Sequence, residues 1–321
     1  MKAVFIEQPG DAGALRYADF PKPEPAPGQV LVKLTAAGVN FIDTYQRSGL
    51  YKIPLPAVLG MEGAGTVESL GPDTAGFKVG DHVAWAMSRG SYAEFAAVPA
   101  QVLVKVPAGL DLRQAAAAML QGMTAHYLTH STFPIEPGHT ALVHAAAGGT
   151  GRLISQMVKL RGGRVIGTAG TREKAEVARA AGADDVILYR EQDLVAEVKR
   201  FTDGKGVDVV YDGVGEATFM QSLDSLKLRG TLALFGQASG PVKPFDPLLL
   251  MTKGSLFLTR PTLANYSSPD ELKWRSSDVL GWILSKKLQL LTERVYPLAD
   301  AAQAHRDLES RKTMGKLVLT I

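Results

Sequence analysis

Between Thr140 and Thr259 the chain alternates six short apolar segments with amphipathic ones, and this repeat constrains the fold more than any other feature. The strand candidates are Thr140–His144, Arg164–Thr168, Asp185–Leu188, Val207–Tyr211, Thr231–Phe235 and Ser255–Thr259. Between them, Gly151–Leu160 places Leu153, Ile154, Met157 and Val158 on one helical face and stops at Gly162-Gly163. Thr171–Ala181 opens on an N-cap threonine and ends at Gly182. Leu194–Phe201 repeats the helical spacing with Leu194, Val195, Val198 and Phe201, and Phe219–Leu226 does so with Leu223 and Leu226. Strands alternating with helices through short loops predict a parallel, doubly wound sheet of the Rossmann kind.

The first 110 residues read differently. Gln29–Leu34 alternates Val30, Val32 and Leu34 with other residues, the period of a half-buried strand. Pro21, Pro23, Pro25 and Pro27 before it mark an extended edge connection. Further strands are expected at Ala64–Leu70, His82–Ala86, Ser91–Val98 and Val102–Lys105, punctuated by glycines as a tightly bent antiparallel barrel requires. After Pro261 the alternation stops. Ser276–Lys287 reads as a helix and Lys316–Ile321 as a strand, too little for a third core. The expected division is a barrel domain over residues 1–122, a Rossmann domain over 123–260, and a tail, 261–321, that returns to the barrel.

Composition excludes several classes. Of 321 residues 46% are hydrophobic and 21% charged, ample apolar sequence for two cores. The net charge of +3 is spread thinly and gives no electrostatic case for nucleic acid or a charged membrane surface. With no cysteine there are no disulfides, thiolate zinc sites, iron–sulfur clusters or cysteine nucleophiles. No apolar stretch is long enough to span a membrane, and the first residues lack a signal-peptide core, so a cytoplasmic protein is expected.

The chemistry concentrates in His144-Ala145-Ala146-Ala147-Gly148-Gly149-Thr150-Gly151, which follows the first strand of the series and opens its first helix. Glycines there let the backbone approach a pyrophosphate, whose charge the free N–H groups of a helix N-terminus favour. Ala146 stands where the usual G-x-G-x-x-G has its first glycine. At the end of the second strand an NAD site would carry Asp or Glu for the ribose 2′-hydroxyl. This chain has Gly167-Thr168-Ala169-Gly170-Thr171-Arg172-Glu173-Lys174 instead. Gly170 and Thr171 leave space for a 2′-phosphate and Lys174 supplies a charge for it, so NADPH is expected over NADH, with Glu173 opposing that preference. Of six histidines only His126 and His130 share an i, i+4 spacing, which would need a third ligand to hold a metal; a lone such pair in an alanine-rich helix reads as surface or core, so no metal is expected. No serine sits in a G-x-S-x-G elbow.

The motifs GVNFIDTYQRSGLY (38–51), LGMEGAGTVESLG (59–71), HAAAGGTG (144–151), VVYDGVG (209–215), GSLFLTRP (254–261) and ESRKTMGKL (309–317) occur in this order along the whole chain. Together they resemble the zinc-independent quinone oxidoreductases, including zeta-crystallin, of the medium-chain dehydrogenase/reductase superfamily. Where zinc-dependent relatives carry a ligand cysteine, this chain has Asn40, and where they carry the histidine of G-H-E it has Met61. Neither replaces a thiolate or an imidazole.

The resemblance implies a GroES-like antiparallel β-barrel joined to a Rossmann domain with a six-strand parallel sheet. It implies NADPH and a small-molecule quinone in the cleft between them, and a homodimer. Asn40, Tyr45 and Thr124 would border the nicotinamide. Gly148, Gly149, Thr150 and Gly151 would cradle the pyrophosphate, Lys174 would meet the 2′-phosphate, and Tyr189 would pack on the adenine. Gly236, Ser239, Arg260 and Arg311 would complete the cofactor contacts. Gly213 departs from the D-S-V-G of many relatives. Tyr45, Tyr51 and Arg260 are the candidates for orienting the quinone oxygens. The alternatives are a reductase of enal or enone double bonds with the same hydride geometry and, from another class, a crystallin or single-stranded RNA binder. The latter lacks the basic clusters and aromatic platform it would need.

Overall fold

The opening residues pair at once: β1 (Lys2–Ile6) runs antiparallel to β2 (Arg16–Asp19). Next come β3 (Gln29–Val39), the short helix α1 (Phe41–Arg47) and β4 (Ala57–Val58), which takes the other side of β1. Strands β5 (Glu62–Leu70), β6 (His82–Ala86), β7 (Phe95–Pro99) and β8 (Leu103–Lys105) complete the antiparallel part, followed by α2 (Leu112–Tyr127). The computed structural model describes residues Met1–Ile321, the side chain of Glu293 excepted. It divides into two units, Met1–Met123 with Ser267–Ile321, and Thr124–Tyr266.

In the first unit the eleven residues of β3 organise the larger sheet. β5 lines one side of β3, and β7 lines the other from Gln29 to Lys33. The register of β3 against β5 shifts between Leu34 and Ala36, where Gly65 lies opposite Leu34. A Cβ on Gly65 would stand 2.1 Å from the Lys33 carbonyl oxygen, so the bulge admits only glycine. Val30, Val32, Leu34, Val67, Val83, Trp85 and Val98 fill the core beneath.

The second unit holds the parallel series: β9 (Thr140–Val143), α3 (Gly149–Leu160), β10 (Arg164–Ala169), α4 (Arg172–Ala180), β11 (Asp185–Leu188), α5 (Leu194–Phe201), β12 (Val207–Asp212), α6 (Phe219–Asp224), β13 (Leu226–Leu234), α7 (Leu248–Thr252) and β14 (Phe257–Thr259). All six strands are parallel in the order β11-β10-β9-β12-β13-β14. The chain therefore reverses its direction of travel across the sheet after β11, leaving a crevice at the ends of β9 and β12 where such sheets bind ligands. Leu142, Ile166, Ile187, Val210 and Leu232 of the strands pack against Leu194, Val198, Phe219 and Leu223 of the helices.

The chain ends in the first unit with α8 (Pro269–Leu284), β15 (Thr292–Pro297), α9 (Ala301–Glu309) and β16 (Lys316–Thr320). β16 pairs antiparallel with Ala36–Val39, the part of β3 that β7 leaves open, and parallel with β15. Among the described residues no helix is long and apolar enough to cross a membrane.

Several element limits differ from the periodicity. Leu226, expected to end a helix, opens β13 because it pairs with Val207. The strand expected from Ser91 begins at Phe95, since Tyr92 turns its fully buried side chain into a polar cluster. The helix expected from Ser276 begins at Pro269, where Ser268 and Glu271 form a capping box with proline in the first turn. Replacing Gly65 by Ala should lower the urea stability by about 2–3 kcal/mol through overpacking against backbone that cannot yield, whereas Gly76→Ala, with nothing within 4 Å, should lose only what its positive φ costs.

Candidate cofactor and active site

The turn between β9 and α3 is built for close approach to its backbone. Ala145 adopts φ +49°, a left-handed conformation unusual for a residue with a Cβ. Its carbonyl accepts from the Gly148 amide at 2.8 Å. A Cβ on Gly151 would stand 2.4 Å from that same carbonyl oxygen, so glycine is required for α3 to start against the turn. The amides of Gly149, Thr150 and Gly151 precede the bond from Arg152 N–H to the Gly148 carbonyl at 2.9 Å. They form the donor-rich, positive end of a twelve-residue helix. An anion such as a pyrophosphate fits this donor set.

At the neighbouring strand end, Thr171 caps α4 by accepting from the Lys174 amide at 3.3 Å. The Tyr189 hydroxyl lies 2.7 Å from where a Gly170 Cβ would be. Tyr189, 48% exposed, thus lays a ring beside the small strand end. Arg172 pairs with Glu191 at 3.7 Å at the surface, and Lys174 is half-buried. At the end of β12, Ser239 Oγ donates to the Val214 carbonyl at 2.7 Å and accepts from the Ala217 amide at 3.0 Å. A Cβ on Gly236 would fall 2.5 Å from the Gly213 carbonyl oxygen, and one on Gly213 would meet the Phe235 ring at 2.9 Å. Phe235 therefore accounts for glycine at 213. Thr124 is buried, and Arg260 is exposed just after β14.

In the first unit Tyr45 and Tyr51 meet edge to face with centroids 5.3 Å apart, and the Tyr51 amide donates to the Tyr45 carbonyl. Asn40 is buried in a polar network. Its Nδ2 donates to Glu62 Oε2 at 2.8 Å, and its Oδ1 accepts from Lys316 Nζ at 2.7 Å. Lys316 Nζ also reaches Glu62 Oε2 at 2.5 Å, and Glu62 Oε1 accepts from the Leu120 amide. Met61 Sδ accepts from Gln46 at 3.2 Å. Two of the positions at which zinc-dependent relatives bind metal thus offer an amide and a thioether, with an ammonium against the amide oxygen. That donor set does not fit a cation. Among the described residues no group of three or more His, Asp or Glu side chains could hold a metal, and His126 stacks on His130 at 4.0 Å.

Asp43 extends the network. It accepts from the Asn40 and Met61 amides at 2.8 and 3.0 Å and from the Tyr92 hydroxyl at 3.0 Å. Burial pushes its carboxyl up to about 7, against the pull of these donors and of Lys316. Tyr92 meets His305 Nε2 at 3.2 Å, and His305 Nδ1 meets Arg47, which is bound by Glu309. Because Tyr92 donates to Asp43, His305 donates from Nε2 to Tyr92 and accepts the Arg47 proton at Nδ1. Burial first, and then the Arg47 charge, lower His305 to about 3. Asp43, Tyr92, His305 and Lys316 were not singled out from the sequence. Asp43 lies inside the GVNFIDTYQRSGLY motif, and Glu62 and Lys316 inside G-M-E and M-G-K, but Tyr92 and His305 lie in none. Arg311, with φ +56°, follows α9 at the surface.

A six-strand parallel sheet with a glycine turn after its first strand defines a dinucleotide-binding oxidoreductase fold. Residues 26–108 match the alcohol dehydrogenase GroES-like domain family, and residues 149–271 match the zinc-binding dehydrogenase family. The chain is 44% identical to a quinone oxidoreductase of Pseudomonas aeruginosa over 321 residues, covering 99% of each. It is 41% identical to a 2-haloacrylate reductase of Burkholderia, over 99% of this chain and 98% of that one. The Escherichia coli quinone oxidoreductase complexed with NADPH superposes with a TM-score of 0.98 at 41% identity, over the full length of both chains. The chain belongs to the quinone oxidoreductase family of the medium-chain dehydrogenase/reductase superfamily, as the motifs implied.

The His305 geometry carries a pH dependence. Its pKa in the folded state lies below the ordinary histidine value, so between about 3 and 6.5 the unfolded chain binds the extra proton. The stability His305 contributes is complete above 6.5 and is lost as the pH falls toward 3. In urea titrations His305→Asn should therefore lose less stability between pH 7 and pH 4.5 than the unsubstituted protein does.

Proposed function

We propose that this protein is an NADPH-dependent quinone oxidoreductase that works without a metal. The observation that carries the reading is the β9–α3 turn, where Gly151 lies against the Ala145 carbonyl at the start of a twelve-residue helix. Gly148, Gly149, Thr150 and Gly151 would hold the pyrophosphate, with Gly236 and Ser239 on the adjoining strand end. Lys174 would pair with a 2′-phosphate in the space left by Gly170 and Thr171, and Tyr189 would stack on the adenine. Asn40, Tyr45 and Thr124 would border the nicotinamide, and Arg260 and Arg311 would complete the contacts. The NADPH complex of the Escherichia coli relative supports this choice of cofactor.

The bound nicotinamide supplies the hydride, so the protein's own contribution is positioning. Tyr45, Tyr51 and Arg260 would orient the acceptor oxygens, and the arginine would stabilise developing negative charge. A quinone is already electrophilic and needs no Lewis acid. The pairing of Asn40 and Glu62 with Lys316 supports the metal-independent reading. A second reading, reduction of an activated carbon–carbon double bond, is favoured by the identity with a 2-haloacrylate reductase. We also propose a homodimer through the exposed edge of β14, where Leu228, Met251 and Phe257 are 75%, 61% and 61% exposed.

Quinone-dependent oxidation of NADPH, well above that of NADH, is the expected result in an absorbance assay. NADPH oxidation driven by an enone but by no quinone would move the acceptor to the second reading. Lys174→Ala should raise the KM for NADPH by about ten- to a hundredfold, the worth of one charge-assisted hydrogen bond. It should change that for NADH by no more than about twofold; equal losses would overturn the phosphate assignment. Sedimentation should give a dimer that Phe257→Glu dissociates.

A further inference from the structure

Beneath the glycine turn runs a buried chain of hydrogen bonds that no contact to a ligand requires. Asp212, at the end of β12, is fully buried, and its carboxylate is surrounded by donors. Oδ1 accepts from the Val214 and Gly215 amides at 2.7 and 3.1 Å. Oδ2 accepts from Thr218 Oγ1 at 2.7 Å and from Ser222 Oγ at 2.8 Å. Ser222 has one proton and gives it to Asp212, so toward His144 Nε2, 3.0 Å away, it can only accept. His144 therefore carries its proton on Nε2, which leaves Nδ1 as an acceptor. Thr168 Oγ1 lies 3.3 Å from Nδ1 and donates to it. The same Thr168 oxygen accepts from the Ala145 amide at 3.1 Å. Every proton in the series is thus assigned, from Ala145 N–H through Thr168, His144 and Ser222 to Asp212.

We propose that Thr168, His144 and Ser222 are positioning residues for the cofactor, acting through the left-handed Ala145 turn that the series anchors to Asp212. The inference rests on the reading of that turn as the pyrophosphate site. Ala145 holds an unfavourable φ of +49°, and its carbonyl fixes the Gly148 amide and stands against Gly151. Its own amide is tied by the Thr168 hydroxyl, while the next amide, that of Ala146, is tied by the Thr168 carbonyl at 3.0 Å. One threonine thus clamps both amides at the start of the turn, and the ring of His144 fixes the direction of its hydroxyl. Burial lowers the pKa of His144, opposed by the Asp212 charge, in keeping with a neutral ring. Because the donors of a phosphate site act only when already aimed, loosening this clamp should weaken binding without removing any group that touches the ligand.

The test is calorimetric titration of the intact protein with NADPH, alongside thermal unfolding. Thr168→Val removes the hydroxyl and should raise the Kd about tenfold, the loss of one buried hydrogen bond's worth of aim. Thr168→Ser restores the hydroxyl and should stay within about twofold of the unsubstituted protein. Val198→Ala, in the same unit's core, should lower the Tm and leave the Kd unchanged. Should Thr168→Val fail to fold, Ser222→Ala at the far end replaces it, with a rise of about threefold or more expected. Without cofactor, ¹⁵N spectra of the imidazoles at neutral pH should contain a neutral Nε2–H ring that His144→Asn removes. An Nδ1–H ring at His144, or unchanged NADPH affinity in Thr168→Val or Ser222→Ala, would overturn the proposal. Absence of NADPH binding by the unsubstituted protein would instead overturn the cofactor reading on which it stands.

Discussion

The ammonium of Lys316 reaches Glu62 and Asn40 from the far end of the chain, with a side chain only 2% exposed. A buried charge of this kind is tolerated only when it is paired and its remaining protons and lone pairs are satisfied; removing one partner costs about 3–5 kcal/mol. Here the ammonium reaches both Asn40 Oδ1 and Glu62 Oε2, and the Leu120 amide binds Glu62 Oε1. The geometry leaves no slack: a Cβ on Gly38 would fall 2.1 Å from Glu62 Oε2 and 2.8 Å from Lys316 Cε. The pair therefore fixes which residue of β16 faces the end of β3, and with it the register of Leu317 on Val39. Helix α1 starts from the same point, because Asn40 is its N-cap and Asp43 binds the Asn40 amide. A contact between residues 254 positions apart thus holds together the segment that carries Tyr45 and Tyr51.

The second unit solves a related problem with a different device. Parallel strands end together at one edge of the sheet, and their backbone groups need partners where the loops diverge. Asp212 supplies four acceptor bonds there, and its neighbours Gly213 and Gly236 pack without side chains. The result is a set of loop starts fixed relative to one another before any ligand arrives. Such preorganisation suits a protein whose cofactor carries the redox chemistry and whose own part is alignment.

The parallel unit was legible because each of its devices is local. Asp185–Leu188 and Leu194–Phe201 agree with the periodicity residue for residue, and Thr171 caps its helix as the residue type implies. The turn from His144 to Gly151 was legible for the same reason, since glycine spacing reports backbone approach over a few residues. β1, β2, α1, β15 and α9 were not, because no regular strand–helix series surrounds them and apolar residues such as Ile6, Tyr296 and Ala304 serve partners distant in sequence. An expected strand starts late, at Phe95, because the buried contact of Tyr92 with Asp43 outweighs local extension.

Taken alone, the sequence determined the class of fold, the position of the glycine turn, the small neutral end of the second strand and the substitution of Asn40 and Met61 at metal-ligand positions. The first three follow from residue type and near-neighbour spacing, and the last is what the family resemblance implies. Only the tertiary structure decided that Lys316 faces Asn40, that Arg47, His305, Tyr92 and Asp43 form one buried series, and that Thr168 and Ser222 clasp His144 from opposite sides. A hydrogen bond joins whatever the fold brings within about 3 Å, and sequence separation leaves no periodic trace of such a meeting.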